Sequence, residues 1–203
     1  MIDIDKSSIF GKGRHRECYI HPENKNLCIK ITVDKNLSAR KEQHEKKYYR
    51  HLEKRNISWD MIPRYHGDII TNRGVGSVFD LISDQAGGVS KTLSYYISSN
   101  EVTEENYSSL ENLLYLLKSY LLEQRIITSM GHRNIVCQRN KSEISRLFVV
   151  DNIGNSEYIP ICNYINFLAK KKIYRRWKRL EASMLDDYPH NKALQRMLTS
   201  SHH

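Results

Sequence analysis

The 203-residue chain is 39% apolar and 27% charged and has a formal net charge of +9. This length permits one substantial core or one two-lobed domain, and it excludes several independent domains. The charge predicts attraction to a polyanion but not which kind, and a basic surface that only aids solubility is an equal alternative.

The chain has no uninterrupted apolar run of the about 18 residues that a membrane-spanning helix needs. Its first ten residues, MIDIDKSSIF, carry two acids and lack the apolar segment of a secretory signal, so we expect a cytoplasmic protein. Four cysteines stand singly at positions 18, 28, 137 and 162, which predicts reduced and mostly buried thiols. We interpret residues 201–203, SHH, as a candidate tag remnant and leave them out of the fold prediction.

The first part of the chain predicts strands with one helix. Residues 7–22 predict two short strands around a glycine-containing turn, and residues 26–33 predict a buried strand. Residues 37–55 predict a mostly polar helix with Ser38 as its N-cap and a narrow packing stripe. Residues 60–83 predict two more strands joined by the turn TNRGVG.

The second part is mainly helical. A short helix is predicted within residues 87–98, and the strongest periodic signal spans residues 108–127. Its apolar face consists of Leu110, Leu113, Leu114, Leu117, Leu121 and Leu122. The segments NIVCQ and RLFVVD predict two strands, and residues 163–185 predict a basic amphipathic helix.

This order predicts one α+β domain over residues 1–200 with two lobes. The first lobe, residues 1–83, would hold an antiparallel sheet and one helix. The second, residues 84–200, would be helical with a β-hairpin, and the connection would lie near residues 82–90.

Two features of the first lobe suggest phosphate binding. Gly11 and Gly13 stand between two strands at the spacing that lets backbone N–H groups approach a phosphate, although an ordinary hairpin turn has the same pattern. Lys30 lies inside an apolar strand, where a buried ammonium needs a counter-charge. A lysine that faces water on an edge strand is the alternative.

Carboxylates and an amide could complete such a site. Glu45 lies at the edge of the packing stripe of the following helix and could reach Lys30, and Glu42 is its rival. Asn134 and Asp151 would supply oxygen ligands that suit Mg²⁺ beside nucleotide phosphates, although both residue types are also common in turns. The order of these residues along the chain is stronger evidence for such a site than any one of the residues alone.

With the glycines, Lys30, Glu45, Asn134 and Asp151 in this order, the sequence resembles the protein-kinase superfamily. It resembles more closely the PhoP regulatory network YrbL family, over essentially the whole chain. The matching segments are GKGRHRECYIHP, CIKI, HEKKYYRHLEKRNISW, IPRYHGDIIT, SVFDLISD, SKTLSYYI, NIVCQR, VVDNIGN and YRRWKR. The resemblance implies a protein-kinase-like two-lobed fold with a reduced helical lobe and a cleft for ATP and Mg²⁺ between the lobes.

The resemblance gives residues of the first lobe a place around the nucleotide. Gly11 and Gly13 match the loop that covers the phosphates. Lys30 matches the strand lysine that holds them, and Glu45 matches its helix partner. The backbone of residues 79–83, which includes Phe79 and Leu81, matches the hinge that binds adenine.

In the second lobe the resemblance implies metal ligands but a changed catalytic loop. Asn134 matches the metal-binding asparagine, and Asp151 begins a metal-binding turn, DNIG, that is one residue longer than usual. The catalytic aspartate of kinases stands five residues before that asparagine, where this chain has Ser129 between Thr128 and Met130. Loss of a positioned base typically slows a reaction by about 10²–10⁴.

His132 is a candidate substitute base, and a surface histidine is the alternative.

The segment AKKKIYRRWKRL, residues 169–180, places cations around an apolar face. That face would pack on the helical lobe. Its cations either are solvated or pair with acids, or they bind an anionic partner such as lipid headgroups, lipopolysaccharide phosphate, nucleic acid or an acidic protein. Sequence-specific DNA binding is not expected.

These observations lead to three hypotheses of function. The leading one is a kinase-like protein that binds ATP and Mg²⁺, with weak, unusual or absent phosphoryl transfer to a hydroxyl of a small molecule, glycan or protein. The second is a catalytically inactive pseudokinase that serves as a regulatory binding module in a PhoP-type Mg²⁺ or envelope-stress response. The third is a nucleic-acid or anionic-membrane binder with a vestigial cleft.

Overall fold

The computed structural model describes residues 1–13, 15–33, 38–154 and 165–200. Five predictions fall wholly or partly outside these residues. They are position 14 in the segment expected at 7–22, the first residue of the helix expected at 37–55, the burial of Cys162, the first two residues of the helix expected at 163–185, and the tag remnant at 201–203. The side chain of Ser38, the expected N-cap, is not described either.

A five-stranded antiparallel sheet forms the first lobe. Its spatial order is β1-β2-β3-β5-β4. The strands are β1 (Ile9–Lys12), β2 (Arg16–Ile20), β3 (Leu27–Thr32), β4 (Tyr65–Thr71) and β5 (Gly74–Asp80). All five were predicted from runs of apolar and β-branched residues between turn residues. Strand β3 is central because its alternating Cys and Ile side chains are buried on both faces of the sheet.

The β4–β5 hairpin is tighter than the sequence suggested. The turn was expected to extend to Gly76, but β5 already begins at Gly74 and Gly76 pairs with Ile31 of β3. A Cβ atom added at Gly76 would lie 2.4 Å from Cγ2 of Ile29. This glycine therefore allows β3 and β5 to approach, and it does not form the turn.

One helix, α1 (Ser38–Lys54), packs against this sheet. Tyr48, Tyr49 and Leu52 are buried as the predicted stripe required. Tyr49 lies 5.3 Å from Phe79 of β5 between ring centroids and meets it edge to face. These contacts fix the helix on the sheet and so determine which way its carboxylates point.

The second lobe contains five helices within the described residues. They are α2 (Leu93–Tyr96), α3 (Asn100–Glu105), α4 (Tyr107–Glu123), α5 (Asn166–Asp187) and α6 (Lys192–Ser200). A small antiparallel sheet of β6 (Lys91–Thr92), β7 (Ile135–Asn140) and β8 (Glu143–Val149) lies among them. The sequence did not predict α3 and α6, because both are short and the first is nearly all polar.

Helix α4 is the centre of this lobe, as its leucine periodicity predicted. Five of the six predicted leucines are buried, and Leu122 lies partly buried at the edge. One continuous apolar core contains α4 residues together with Tyr48, Tyr49 and Phe79 of the first lobe. The two lobes therefore share packing in addition to their chain connection. None of the described helices is long and apolar enough to cross a membrane.

Candidate functional site

Lys30 links the two lobes. It lies on central strand β3 opposite Cys18 and Ser77, and its side chain is buried. Its Nζ donates a hydrogen bond to the backbone carbonyl of Val150, just after β8 in the second lobe. The ammonium also lies 4.5 Å from the ring centroid of Phe79. The alternative that Lys30 faces water from an edge strand is therefore wrong.

Charges around Lys30 keep it protonated. Burial by itself would lower the pKa of this ammonium, but the carboxylates of Asp151 and Glu45 outweigh burial and raise the pKa above its ordinary value. The site thus contains a fixed positive charge at its centre, as binding of phosphate groups requires.

Arg16 occupies a position that the sequence prediction did not use. It begins β2, and its Nη1 lies 2.6 Å from Glu45 and 3.1 Å from Asp151. Burial lowers the pKa of this guanidinium, and the two carboxylates more than compensate, so its pKa is raised. Glu45 therefore pairs with Arg16, whereas the expected pairing with Lys30 is replaced by the hydrogen bond of Lys30 to Val150.

The structure also decides between the two candidate glutamates of α1. Glu45 faces the interlobe site, where its second oxygen accepts a hydrogen bond from the N–H of Ile153 at 3.3 Å. Glu42 lies one turn earlier and accepts hydrogen bonds from Thr32 and Ser77 on the sheet. Glu45 is consequently the residue that connects α1 to the Asp151 turn.

Asn134 and Asp151 lie side by side because of strand register. Ile135 begins β7 opposite Val149 of β8, and the N–H of Val150 donates to the carbonyl of Asn134 at 2.9 Å. Asp151 follows directly. Gly154 ends the turn with a φ of +140°, a conformation that glycine adopts readily and other residues rarely do. The structure therefore brings together Lys30, Asn134 and Asp151, which are far apart in the sequence.

Ser129 lies at the same turn. Its N–H donates to the carbonyl of Asn152 at 3.0 Å, and the hydroxyl of Thr128 donates to the same carbonyl at 3.0 Å. Ser129 itself is exposed. Ser129, which the resemblance matches to the catalytic aspartate of kinases, is thus next to the Asp151 turn, and its side chain is a hydroxyl that cannot act as a carboxylate base.

His132 lies inside the second lobe, and its role as a substitute base stays a prediction. It is buried, so the surface-histidine alternative is wrong. Its Nδ1 lies 2.6 Å from the Ser94 hydroxyl and its Nε2 2.7 Å from Asp187. Both ring nitrogens are hydrogen-bonded to side chains of α2 and α5, so His132 ties these helices together.

The predicted phosphate-binding glycines and the predicted adenine-binding hinge give weaker support for a nucleotide site. A Cβ atom added at Gly11 or Gly13 would meet its nearest neighbour at 3.5 Å, so the fold alone does not require glycine at either position. Phe79 is buried within β5, and the N–H of Leu81 donates to the carbonyl of Asn26 at 2.8 Å. Leu81 therefore has no free N–H for adenine in this arrangement.

A separate cavity lies outside the cleft, between the second half of α1 and the start of β4. Its walls include Tyr49, Trp59 and Arg64, and its volume is about 130 Å³. Pockets for drug-sized ligands typically measure about 300–1,000 Å³. This cavity is too small for a nucleotide.

The residues of the interlobe site match the chemistry of a magnesium nucleotide. Asp151 and Asn134 offer carboxylate and amide oxygens, which Mg²⁺ prefers. Among the described residues, the Asn134 side chain forms no hydrogen bond and Asp151 uses only Oδ1, toward Arg16. Lys30 and Arg16 supply two cations for phosphates. The donor set therefore fits the group that the resemblance implies.

Structural comparison supports a kinase-like fold. The crystal structure of a kinase domain matches 74% of this chain with a TM-score of 0.50 and 15% sequence identity. This chain spans about half of that domain, 51%. At such low identity the likeness establishes the fold alone, and it agrees with the two-lobed α+β architecture described above.

Sequence comparisons give a closer relationship. YrbL of Escherichia coli K12 and YrbL of Shigella flexneri are each 42% identical to this chain over 185 residues, covering 90% of this chain and 87% of the relative. The model of the family described as PhoP regulatory network protein YrbL matches residues 2–185. With its kinase-like fold and this match over most of its length, the chain belongs to the PhoP regulatory network protein YrbL family.

Proposed function

We propose that this protein binds ATP with Mg²⁺ between its lobes. The observation that carries the proposal is the hydrogen bond from Lys30 to the carbonyl of Val150. This hydrogen bond joins a protonated ammonium to the residue before Asp151, and the N–H of the same Val150 donates to the carbonyl of Asn134. A cation and two oxygen ligands that converge from different lobes form the arrangement that a metal-bound triphosphate requires.

Each residue has a distinct part in this proposal. Lys30 and Arg16 bind phosphate oxygens, while Asp151 and Asn134 hold the metal. Mg²⁺ supplies charge neutralisation on the phosphates when it is bound. Glu45 acts as a positioning residue, because it orients Arg16 and binds the backbone of the Asp151 turn.

Phosphoryl transfer in this proposal is weak or absent. Ser129 at the base position cannot accept the acceptor's proton as a carboxylate does, although positioning and charge neutralisation supply much of the catalysis of this reaction. If transfer occurs, the acceptor is a hydroxyl of a small molecule, a glycan or a protein. A compact acceptor suits the reduced helical lobe best. The proposal places the protein in the cytoplasm, where ATP and Mg²⁺ are supplied.

Thermal unfolding with MgATP tests the binding site. At a nucleotide concentration 100 times the dissociation constant, the wild type is expected to gain about 2.7 kcal/mol of stability. Lys30→Met should lose this gain because the phosphates lose their central cation. Lys46→Met is the matched control, since Lys46 lies on the same helix as Glu45 but pairs with Glu42 and Asp68. No change in melting temperature of the wild type at millimolar MgATP would contradict the proposal.

A second candidate function is a regulatory module without catalysis. Two observations favour it: the hydroxyl of Ser129 stands where a carboxylate is needed, and the guanidinium of Arg16 lies 3.1 Å from Oδ1 of Asp151, so that a metal would compete with this ion pair. In this candidate the kinase-like shell acts by binding a partner, as the name of the PhoP regulatory network family suggests.

Release of phosphate separates the two candidates. We expect slow loss of the γ-phosphate from ATP in the wild type and at least about a hundredfold less in Asp151→Asn, which retains the size of the side chain but removes its charge. The assay measures labelled inorganic phosphate over hours with purified protein. Equal rates in both proteins, together with the thermal shift described above, would establish nucleotide binding without catalysis.

A further inference from the structure

The outer face of α5 combines exposed aromatic side chains with cations. Phe167, Lys171, Tyr174 and Lys178 follow one another at spacings of four, three and four residues, so they form one line along the helix. Phe167 is 72% exposed and Tyr174 49% exposed. At the rise of an α-helix the line is about 16 Å long.

Further cations flank this line. The exposed basic residues of the helix are Lys170, Lys171, Arg175, Lys178 and Arg179. Within the described part of the chain none of these five forms an ion pair. We call these five residues together with Phe167 and Tyr174 the α5 face. The residues that the structure describes therefore do not neutralise its positive charge.

The opposite side of the helix carries the structural role. Ile173, Trp177 and Leu180 are buried in the core, as the sequence predicted for the apolar side of this helix. The first acid after Asn166 is Glu181, which is buried and accepts a hydrogen bond from the indole of Trp177 at 2.6 Å. The α5 face is thus free of acids and is not needed to hold the fold together.

Helix α4 extends this surface. The ammonium of Lys118 lies 5.6 Å from the ring centroid of Tyr174 and 5.8 Å from that of Trp177. Tyr115, one turn earlier on α4, is 66% exposed. The neighbouring helix therefore adds another cation and another exposed aromatic ring to the same side of the lobe.

We propose that the α5 face binds the surface of a phospholipid bilayer that contains anionic lipids. A helix that lies in the membrane interface has this composition, with aromatic side chains inserted among the headgroups and Lys or Arg bound to their phosphates. The aliphatic stems of the cations add apolar contact while their charged ends remain in water. Two features point to a lipid surface as the partner. Its anionic headgroups complement the cations, and its apolar interior would take up the ring of Phe167, which has no polar group and otherwise stands in water.

Other polyanions match the face less well. Duplex nucleic acid binds cations through its phosphates but offers no apolar phase for Phe167. Single-stranded nucleic acid can stack bases on aromatic rings, which makes it the competitor that the experiment includes.

Vesicle co-sedimentation of the full chain tests the proposal. The wild type should bind phosphatidylcholine vesicles that contain phosphatidylglycerol and should not bind pure phosphatidylcholine vesicles. The triple variant Lys171→Glu, Arg175→Glu, Lys178→Glu should weaken binding by about a hundredfold or more. Phe167→Ser should weaken it by about tenfold without a change in salt dependence, because only apolar contact is lost.

Matched controls make the test specific. The triple variant Lys41→Glu, Lys47→Glu, Lys54→Glu changes the net charge by the same amount at exposed positions of α1. Its vesicle binding should stay close to that of the wild type. All substituted residues are exposed, and thermal melts verify that each variant is folded. In Phe167→Trp, the new indole should shift its emission to the blue and be quenched by brominated lipid.

Three outcomes would overturn the proposal. The first is no binding of the wild type to anionic vesicles at low ionic strength. The second is equal weakening by the α1 and α5 triple variants, which would indicate only non-specific attraction by net charge. The third is displacement from vesicles by a single-stranded oligonucleotide whose binding requires the same residues and is tighter, which would assign the face to nucleic acid.

Discussion

Replacement of Arg16 by methionine is expected to lower the free energy of unfolding by about 3 kcal/mol, because it removes the cation that is hydrogen-bonded to buried Glu45. The side chains of Arg16 and Glu45 are 18% and 8% exposed, so water cannot compensate the carboxylate. Urea denaturation followed by circular dichroism measures the loss. The double variant Arg16→Met, Glu45→Met should recover much of it, since neither charge then remains.

An exposed ion pair provides the control for this cycle. Arg196 and Glu104 form a bridge between α6 and α3 with side chains 61% and 53% exposed. Exposed pairs typically contribute about 0–1 kcal/mol. If the coupling energy between Arg16 and Glu45 is no larger than that between Arg196 and Glu104, the buried pair does not stabilise the site in the way that its burial indicates.

Truncation of Leu117 to alanine is expected to cost about 3–5 kcal/mol of stability. Leu117 is fully buried at the middle of α4, where the removed side chain leaves a cavity that its neighbours cannot fill. The same denaturation experiment measures the effect. Leu116→Ala, one residue earlier on the same helix but exposed, should change stability by less than about 0.5 kcal/mol. Similar losses for both variants would mean that α4 does not lie at the centre of the core.

These two experiments examine different links between sequence and function. The Leu117 variant tests the core that joins the lobes. The Arg16 variant tests the charge cluster that this core supports. A chain with the core intact and the cluster broken should stay folded and lose MgATP binding, because Arg16 and Glu45 hold the Asp151 turn in place.

Local patterns predicted most of the fold. Strands β1 to β5 and helices α1, α4 and α5 follow from apolar periodicity and turn residues, which depend only on neighbours in the sequence. The elements that the sequence did not predict correctly also have local causes. Helix α3 has too few apolar residues to give a periodic signal, and the turn before β5 looked longer because Gly76 serves close packing against Ile29.

The candidate site was predicted less completely. The residue types and order identified Lys30, Asn134 and Asp151, and the resemblance to kinases explained why they would converge. Arg16 was not predicted, because the sequence does not show that its side chain meets Glu45 and Asp151, which lie on distant elements. One signal could have indicated that the site contains a second basic side chain besides Lys30. A buried carboxylate such as Glu45 needs cations nearby.

The sequence by itself determined the order of most helices and strands, the basic character of α5 and the absence of a carboxylate at position 129. Only the tertiary structure decided which charges meet: Arg16 bonds to Asp151 across 135 residues, and His132 bonds to Asp187 across 55. The reason is physical. Secondary structure depends on neighbours a few residues apart, whereas the partner and the burial of an ionised side chain depend on how distant elements pack and exclude water.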